Sequence, residues 1–299
     1  MIFSPLVLPG FLQRRVDGLA RTLMESPDPF DFTRPQGEAA LVPADSVSWR
    51  LFKNPLAVFI GGVAAVILEL AEPRVRSGVW EHSSFRSDPV GRLQRTGRAA
   101  MITVYGPRRA AEAMIARVVR LHGKVEGLTP RGEPYRASDP ELLSWVQATA
   151  SFGFAQSHHA YVRPLGAAER QRLYQEALVS AQLYGATAAP QSNDEREALF
   201  AAMRARLEPS AILHEFFAIL RAAPAFPVRG LQHVLIRAAV DIVPADLRTQ
   251  LDIAGYGLRP GEAALVRSAC ALADRIVLNV SPAVQSCRRL GLPADYLYR

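Results

Sequence analysis

Four residues close together in this chain have side chains that could do chemistry as a group: Arg92, Arg95, Thr96 and His122. Ser87-Asp88-Pro89 reads as a helix start, with Asp88 as N-cap and Pro89 at the first helical position. From there Arg92, Thr96, Ala99, Ala100 and Thr103 recur at helical spacing, so Arg92 and Thr96 lie one turn apart on one face, with Arg95 on the adjoining flank. Gly106-Pro107 ends this helix and begins another, in which Ala111, Met114, Ile115, Val118 and His122 share a face. Arg109, Arg117 and Arg120 fall on its other faces. A histidine that points where the aliphatic residues point, opposite a helix with arginines at its mouth, is one way to hold a haem. The same residues also fit a plain structural role. A histidine at a helix end is commonly satisfied by a carbonyl and by the helix dipole, and arginines are commonly solvated or ion-paired.

Several other helices are needed to position that pair. Asn54 to Leu68 is the most hydrophobic stretch, too short for the ~20 residues of a membrane span, and its Gly61-Gly62 predicts close packing on another helix or a cofactor. Asp139-Pro140-Glu141 starts a helix carrying Leu142, Leu143, Trp145 and Val146, after a linker from Tyr135 to Asp139. Gly166 to Tyr184 is another, with Leu173 and Leu183 on its apolar side. Ser192 and Glu195 form a capping-box pattern for the next. Pro209–Leu220, Gly230–Val243 and Gly261–Val277 supply the rest. Strand-period alternation is almost absent, so the fold class is all-α. A proline-rich arm over residues 1–40, with Pro27, Pro29 and Pro35, precedes a helical domain over 41–299.

Composition excludes more than it assigns. The chain has 299 residues, 49% of them hydrophobic and 21% charged, which argues against extensive disorder. The formal net charge is +7, carried by arginines spread along the chain with no recognisable nucleic-acid module, so nucleic acid is not an expected partner. Peripheral contact with anionic lipid stays open. Cys270 and Cys287 form neither a CxxC nor a disulfide framework and read as reduced thiols in apolar helices. No Cys-x-x-Cys-His occurs, which excludes covalently attached haem. The N-terminus lacks the basic start and cleavage site of a secretory signal, so a cytoplasmic protein is expected. Nucleotide-cradling glycine motifs and the G-x-S-x-G and H-E-x-x-H signatures are absent. His158-His159 reads as a surface pair, His82 as a pocket residue or a turn pin, and His214 and His233 lack partners at ligand spacing.

Order and context narrow the choice. LELAEPRVRSGVWEHSSFRSDPVGRLQRTGRAAMITVYGP followed by HGKVEGLTPRGEPYRASDPELLSWVQATASFGF resembles the rubber oxygenase (latex-clearing protein) and MpaB oxygenase family. The ordered features are Arg-x-x-basic-Thr, a histidine ending the next helix, and G-x-x-Y-x-A-x-D-P-x-L-L-x-W-V. A weaker likeness runs through VDIVPADLR to CRRLG. The resemblance implies a globin-like helical core that binds haem b, with His122 as the proximal iron ligand and Arg92 and Thr96 in the distal pocket. It also implies dioxygen and an unsaturated apolar small molecule or lipid as reactants. A non-catalytic haem protein that binds or senses a gas, and a haem-free lipid binder, are the alternatives.

The sequence departs from the family at three places. Arg95 stands where rubber oxygenase has a lysine able to cap the iron. A guanidinium stays protonated, so the expected role of Arg95 is a donor to bound oxygen or to a propionate. Gln147 and Glu72 stand where related bacterial sequences often have histidines. Glu69 and Glu72, read as neighbours on one helical face, supply one candidate pocket carboxylate, with pairing of Glu72 to Arg74 or Arg76 the favoured reading.

Overall fold

Asn54 and Pro55 start the helix around which the rest is built: the Asn54 side chain accepts from the Ala57 amide, and Pro55 fills a position that needs no N–H. The computed structural model describes residues 5, 6, 8–24, 29–224, 226 and 228–299, the side chains of 19 and 21–24 excepted; Pro27 of the N-terminal arm lies outside them. In chain order the helices are α1 (Gly10–Met24), α2 (Val47–Phe52), α3 (Pro55–Ala71), α4 (Pro73–His82), α5 (Pro89–Tyr105) and α6 (Arg108–His122). A two-stranded antiparallel hairpin follows, β1 (Glu126–Leu128) with β2 (Pro134–Arg136). Then come α7 (Pro140–Tyr161), α8 (Ala167–Tyr184), α9 (Asn193–Met203), α10 (Ala211–Ala222), α11 (Arg229–Ile242), α12 (Ala245–Gln250), α13 (Glu262–Ala273) and α14 (Pro282–Arg289).

The all-α reading holds, with the short hairpin as the exception. Three-residue strands are too short to show alternation, and the expected linker from Tyr135 to Asp139 begins inside β2. Most boundaries fall within a few residues of the expected ones, because Asp88, Asp139 and Ser192 each cap the helix they announce. Leu183 is a correction: it is exposed, while Leu173 is buried.

The centre of the molecule is the crossing of α3 with α7. Gly61 and Gly153 meet backbone to backbone: a Cβ at Gly61 would lie 2.8 Å from the Gly153 carbonyl oxygen, and one at Gly153 would strike that of Gly61. The Ser157 hydroxyl donates to the Ala57 carbonyl (2.8 Å), and the Trp145 indole donates to that of Leu68 (3.3 Å). Ile60, Ile67, Leu68 and Trp145 are fully buried there, each contributing roughly 1.5–3 kcal/mol by leaving water. Helices α10, α11 and α13 cover the other side of α3. The chain then bends sharply: α3 and α4 diverge by 109°, and no single helix among the described residues is long and apolar enough to cross a membrane.

A second cluster joins α2, α5, α6 and α14 to residues 30–44. Arg289 is wholly buried in it and makes no ion-pair contact with a carboxylate among the described residues. Its guanidinium donates to the carbonyls of Phe32 (2.9 Å), Glu38 (2.9 Å) and Tyr105 (2.7 Å).

Candidate active-site cleft

Helix α5 stands away from the α3–α7 pair. It packs on α6, α2 and α14, and α6 packs on α5 and α8, while neither makes an extended contact with α3 or α7. The inward stripes on both sides are correspondingly half-exposed in helices that are otherwise buried. On α3 the stripe is Phe59, Gly62, Val66 and Glu69; on α7 it is Leu143, Val146, Gln147, Ala150 and Phe154. Both run at helical spacing, so each is one face rather than scattered exposure. Across from them α5 presents Arg92, Thr96, Ala99 and Thr103, and α6 presents Met114, Val118 and His122. Four helical stripes therefore bound one cleft, apolar along most of its length.

Its polar end gathers Glu69, Arg92, Thr149 and His122. Glu69 lies deep among protein atoms although part of its surface is accessible, as expected of a group lining a cleft. Burial pushes its carboxyl up to about 7, opposed by the Arg92 charge and a hydrogen bond with Thr149. Burial lowers the Arg92 pKa from its ordinary value, with Glu69 acting the other way. Arg92 also donates to the Thr96 hydroxyl, which in turn donates to the Arg92 carbonyl (2.9 Å). The His122 ring is half-buried, and its Nδ1 is buried with no hydrogen-bond partner among the described residues. Burial first, and the Arg92 charge second, hold the imidazole below the usual histidine pKa. A neutral imidazole with an unsatisfied nitrogen is a ligating group looking for an electrophile.

Arg92 thus lies within electrostatic reach of His122 and is hydrogen-bonded to Thr96. Arg95 lies on the outer flank of α5, where its guanidinium donates to Asp88 (3.1 Å) and to the Ser84 hydroxyl (2.5 Å). Glu72 is not on a common face with Glu69, because α3 ends at Ala71. Fully buried, Glu72 caps α4 by accepting from the Val75 amide (2.8 Å) and pairs with Arg74 (2.8 Å), as its favoured reading has it. His82 contacts the Tyr135 hydroxyl (3.1 Å), which donates to Glu81 (2.9 Å), so it pins the hairpin to α4. The surface reading of His158 is corrected: it is 2% exposed, with neither ring nitrogen hydrogen-bonded. His159 accepts from the Leu165 amide (3.0 Å), and His214 contacts the Tyr256 hydroxyl (2.9 Å). Cys270 and Cys287 are free and buried.

Sequence reasoning missed Thr149, which looks like any small residue of a packed helix; its pairing with Glu69 needs the α3–α7 crossing. Among the described residues no three His, Cys, Asp or Glu converge as a metal site. The donor set fits a cofactor that brings its own equatorial ligands and needs a single imidazole, which is what haem requires.

Against known proteins, no individual curated sequence and no solved structure matches the chain. The profile of the family described as ER-bound oxygenase mpaB/B'/Rubber oxygenase, catalytic domain, matches residues 49–275. That span contains α3 to α7 and every residue of the cleft, and the chain belongs to the MpaB/rubber oxygenase catalytic-domain family.

Proposed function

We propose that this chain is a haem b-dependent oxygenase acting with dioxygen on an unsaturated apolar small molecule or lipid, within a globin-like helical core. The observation that carries the reading is His122: a neutral imidazole with a buried, unpartnered nitrogen, on the cleft-facing stripe of α6 and within electrostatic reach of Arg92. His122 would hold the iron, and the facing stripes of α3 and α7 would receive the apolar ring. When bound, haem supplies the iron at which dioxygen is activated, with potential and reactivity tuned by axial ligand and pocket polarity. Arg92, braced by the Thr96 hydroxyl that accepts from it, would present its remaining N–H donors towards the cleft. Glu69 holds a proton that it can give or take near neutral pH, because its pKa of about 7 matches the working range of a general acid or base. The apolar walls suit a hydrocarbon substrate.

The test is an absorption spectrum of the purified protein, then of His122→Ala. A Soret band that His122→Ala loses, with far-UV helix content kept, is expected. Haem-replete protein should also incorporate labelled oxygen into unsaturated terpenoids or lipids. Full haem retention by His122→Ala removes His122 from the axial position. The absence of haem after reconstitution overturns the haem reading altogether. Haem without oxygen incorporation across a broad panel favours a gas-binding role.

A further inference from the structure

Residues 86–136 contain eleven arginines and lysines but four acidic residues, so this one stretch carries the entire formal charge of +7 and the rest of the chain is balanced. The arginines look scattered in sequence because they recur at helical intervals rather than in a run. In the fold the stretch is α5 and α6, whose inner stripes lie opposite α3 and α7, and the β1–β2 hairpin, which packs on α4.

Helix α6 is the clearest case. Its inner stripe ends in His122, while its outer face carries Arg109, Arg117 and Arg120, followed by Lys124 just past its end. The side chains of all four are exposed and make no ion pair with a carboxylate among the described residues, in contrast to exposed arginines such as Arg86, Arg131 and Arg204. Exposed apolar side chains interrupt the same end of the molecule: Val119 at 36%, Leu121 at 52% and Leu128 at 62%. Lys124 and Val125 are hydrogen-bonded back to α6, so β1 springs directly from the helix end and carries Leu128 at its tip.

We propose that the outer face of α6, with the β1 tip, docks on a membrane surface bearing anionic lipid. Bare cations attract the headgroups, and Leu121 and Leu128 enter the boundary below them, the combination by which peripheral segments bind. Charge complementarity selects an anionic bilayer over a protein partner, because no single oppositely charged geometry is presented, only a dispersed basic surface around apolar tips. Docking would set the His122 end of the cleft against the lipid, from which an apolar molecule could enter without crossing water. The proposal concerns the surface and does not depend on what the cleft holds.

The experiment is sedimentation of the full chain with vesicles of phosphatidylcholine alone or with a third phosphatidylserine, at low and high salt. Binding only to the anionic vesicles, reversed by salt, is expected. Arg117→Gln, Arg120→Gln and Lys124→Gln together should weaken it on the order of a hundredfold. Leu121→Ser with Leu128→Ser should weaken it about tenfold while leaving binding to a homopolymer RNA unchanged. Far-UV spectra check that each variant folds. Equal binding to neutral vesicles, no effect of the triple substitution, or an intact vesicle affinity in the leucine pair would each overturn the proposal. The last would make the face a plain polyanion site.

Discussion

The α3–α7 pair and the α5–α6 hairpin face each other across the cleft, and they are built on opposite terms. The pair meets glycine to glycine, with indole and hydroxyl groups tied to the opposing backbone. The hairpin buries little of itself, in α6 only Ala111 and Ile115, and carries most of its side chains half-exposed or bare. Close packing fixes one wall to within a fraction of an ångström, since dense interiors tolerate little change of volume. A wall with few buried contacts is held less firmly, and local stability varies within one molecule in just this way. Rigid scaffold and adjustable wall are thus separated, with the ionisable groups of the cleft contributed by both.

Substitutions at the crossing should show the largest difference. Gly153→Val places a branched side chain where the Gly61 backbone already lies, so it should destabilise the fold by about 4 kcal/mol or more. Ala116→Leu on the exposed face of α6 should change stability by less than about 0.5 kcal/mol. Urea denaturation of both variants reads the contrast; equal effects would abolish it.

His158, at the far end of α7, comes next. Its pKa of about 4 arises from burial, with Asp274 opposing and Arg163 and Lys53 adding to the shift, and Glu169 opposing weakly. The folded state therefore prefers the neutral ring. Its contribution is intact above the unfolded pKa near 6.5 and is lost as pH falls towards 4, by on the order of 3 kcal/mol. His158→Leu should flatten that loss, measured as Tm between pH 4 and 7. A wild-type curve and a variant curve that stay parallel would show that the ring is not the group responsible.

Glu69 has the opposite sign. Its raised pKa means that the protein is most stable with the carboxyl protonated, and stability declines as pH rises from about 4.5 through about 7. Glu69→Gln should remove about 1–2 kcal/mol of that decline, the figure being discounted for partial exposure. It should also flatten any activity profile with a midpoint near 7. An unchanged midpoint would assign the titration elsewhere.

The smallest effect is expected at Arg95. Its contacts with Asp88 and Ser84 are exposed, so Arg95→Ala should change stability by less than about 0.5 kcal/mol and leave the spectrum of bound haem nearly unaltered. A marked spectral change would show that the guanidinium swings into the cleft.

Much of this was legible in the chain. Helix starts were clear wherever a capping side chain preceded a proline, as at Asn54-Pro55, Asp88-Pro89 and Asp139-Pro140. The stripes of α5 and α6 followed from spacing, with Arg92 and Thr96 one turn apart on the first and His122 at the end of the second. What spacing could not supply was depth. Glu69 and Glu72 look equivalent three residues apart, but a helix break sends one into the cleft and the other to a cap. His158 and His159 look like a surface pair, yet the face of α7 that carries His158 is covered while His159 stays half-exposed. Burial on a central helix depends on neighbours far away in sequence, and no local period reports them.

The buried guanidinium of Arg289 has a consequence for how the molecule comes to be made. It gathers carbonyls from Phe32 and Glu38, about 250 residues earlier, with that of Tyr105 between. During synthesis the segment around Phe32 leaves the ribosome about 250 residues ahead of Arg289. The early segment must wait, unseated, until α14 has emerged, because its fastening is encoded far along the chain. Long-range closure of this kind is slow and exposes intermediates. A nascent chain halted before α14 should therefore keep this segment open to protease, and its protection should appear in one step once Arg289 is available.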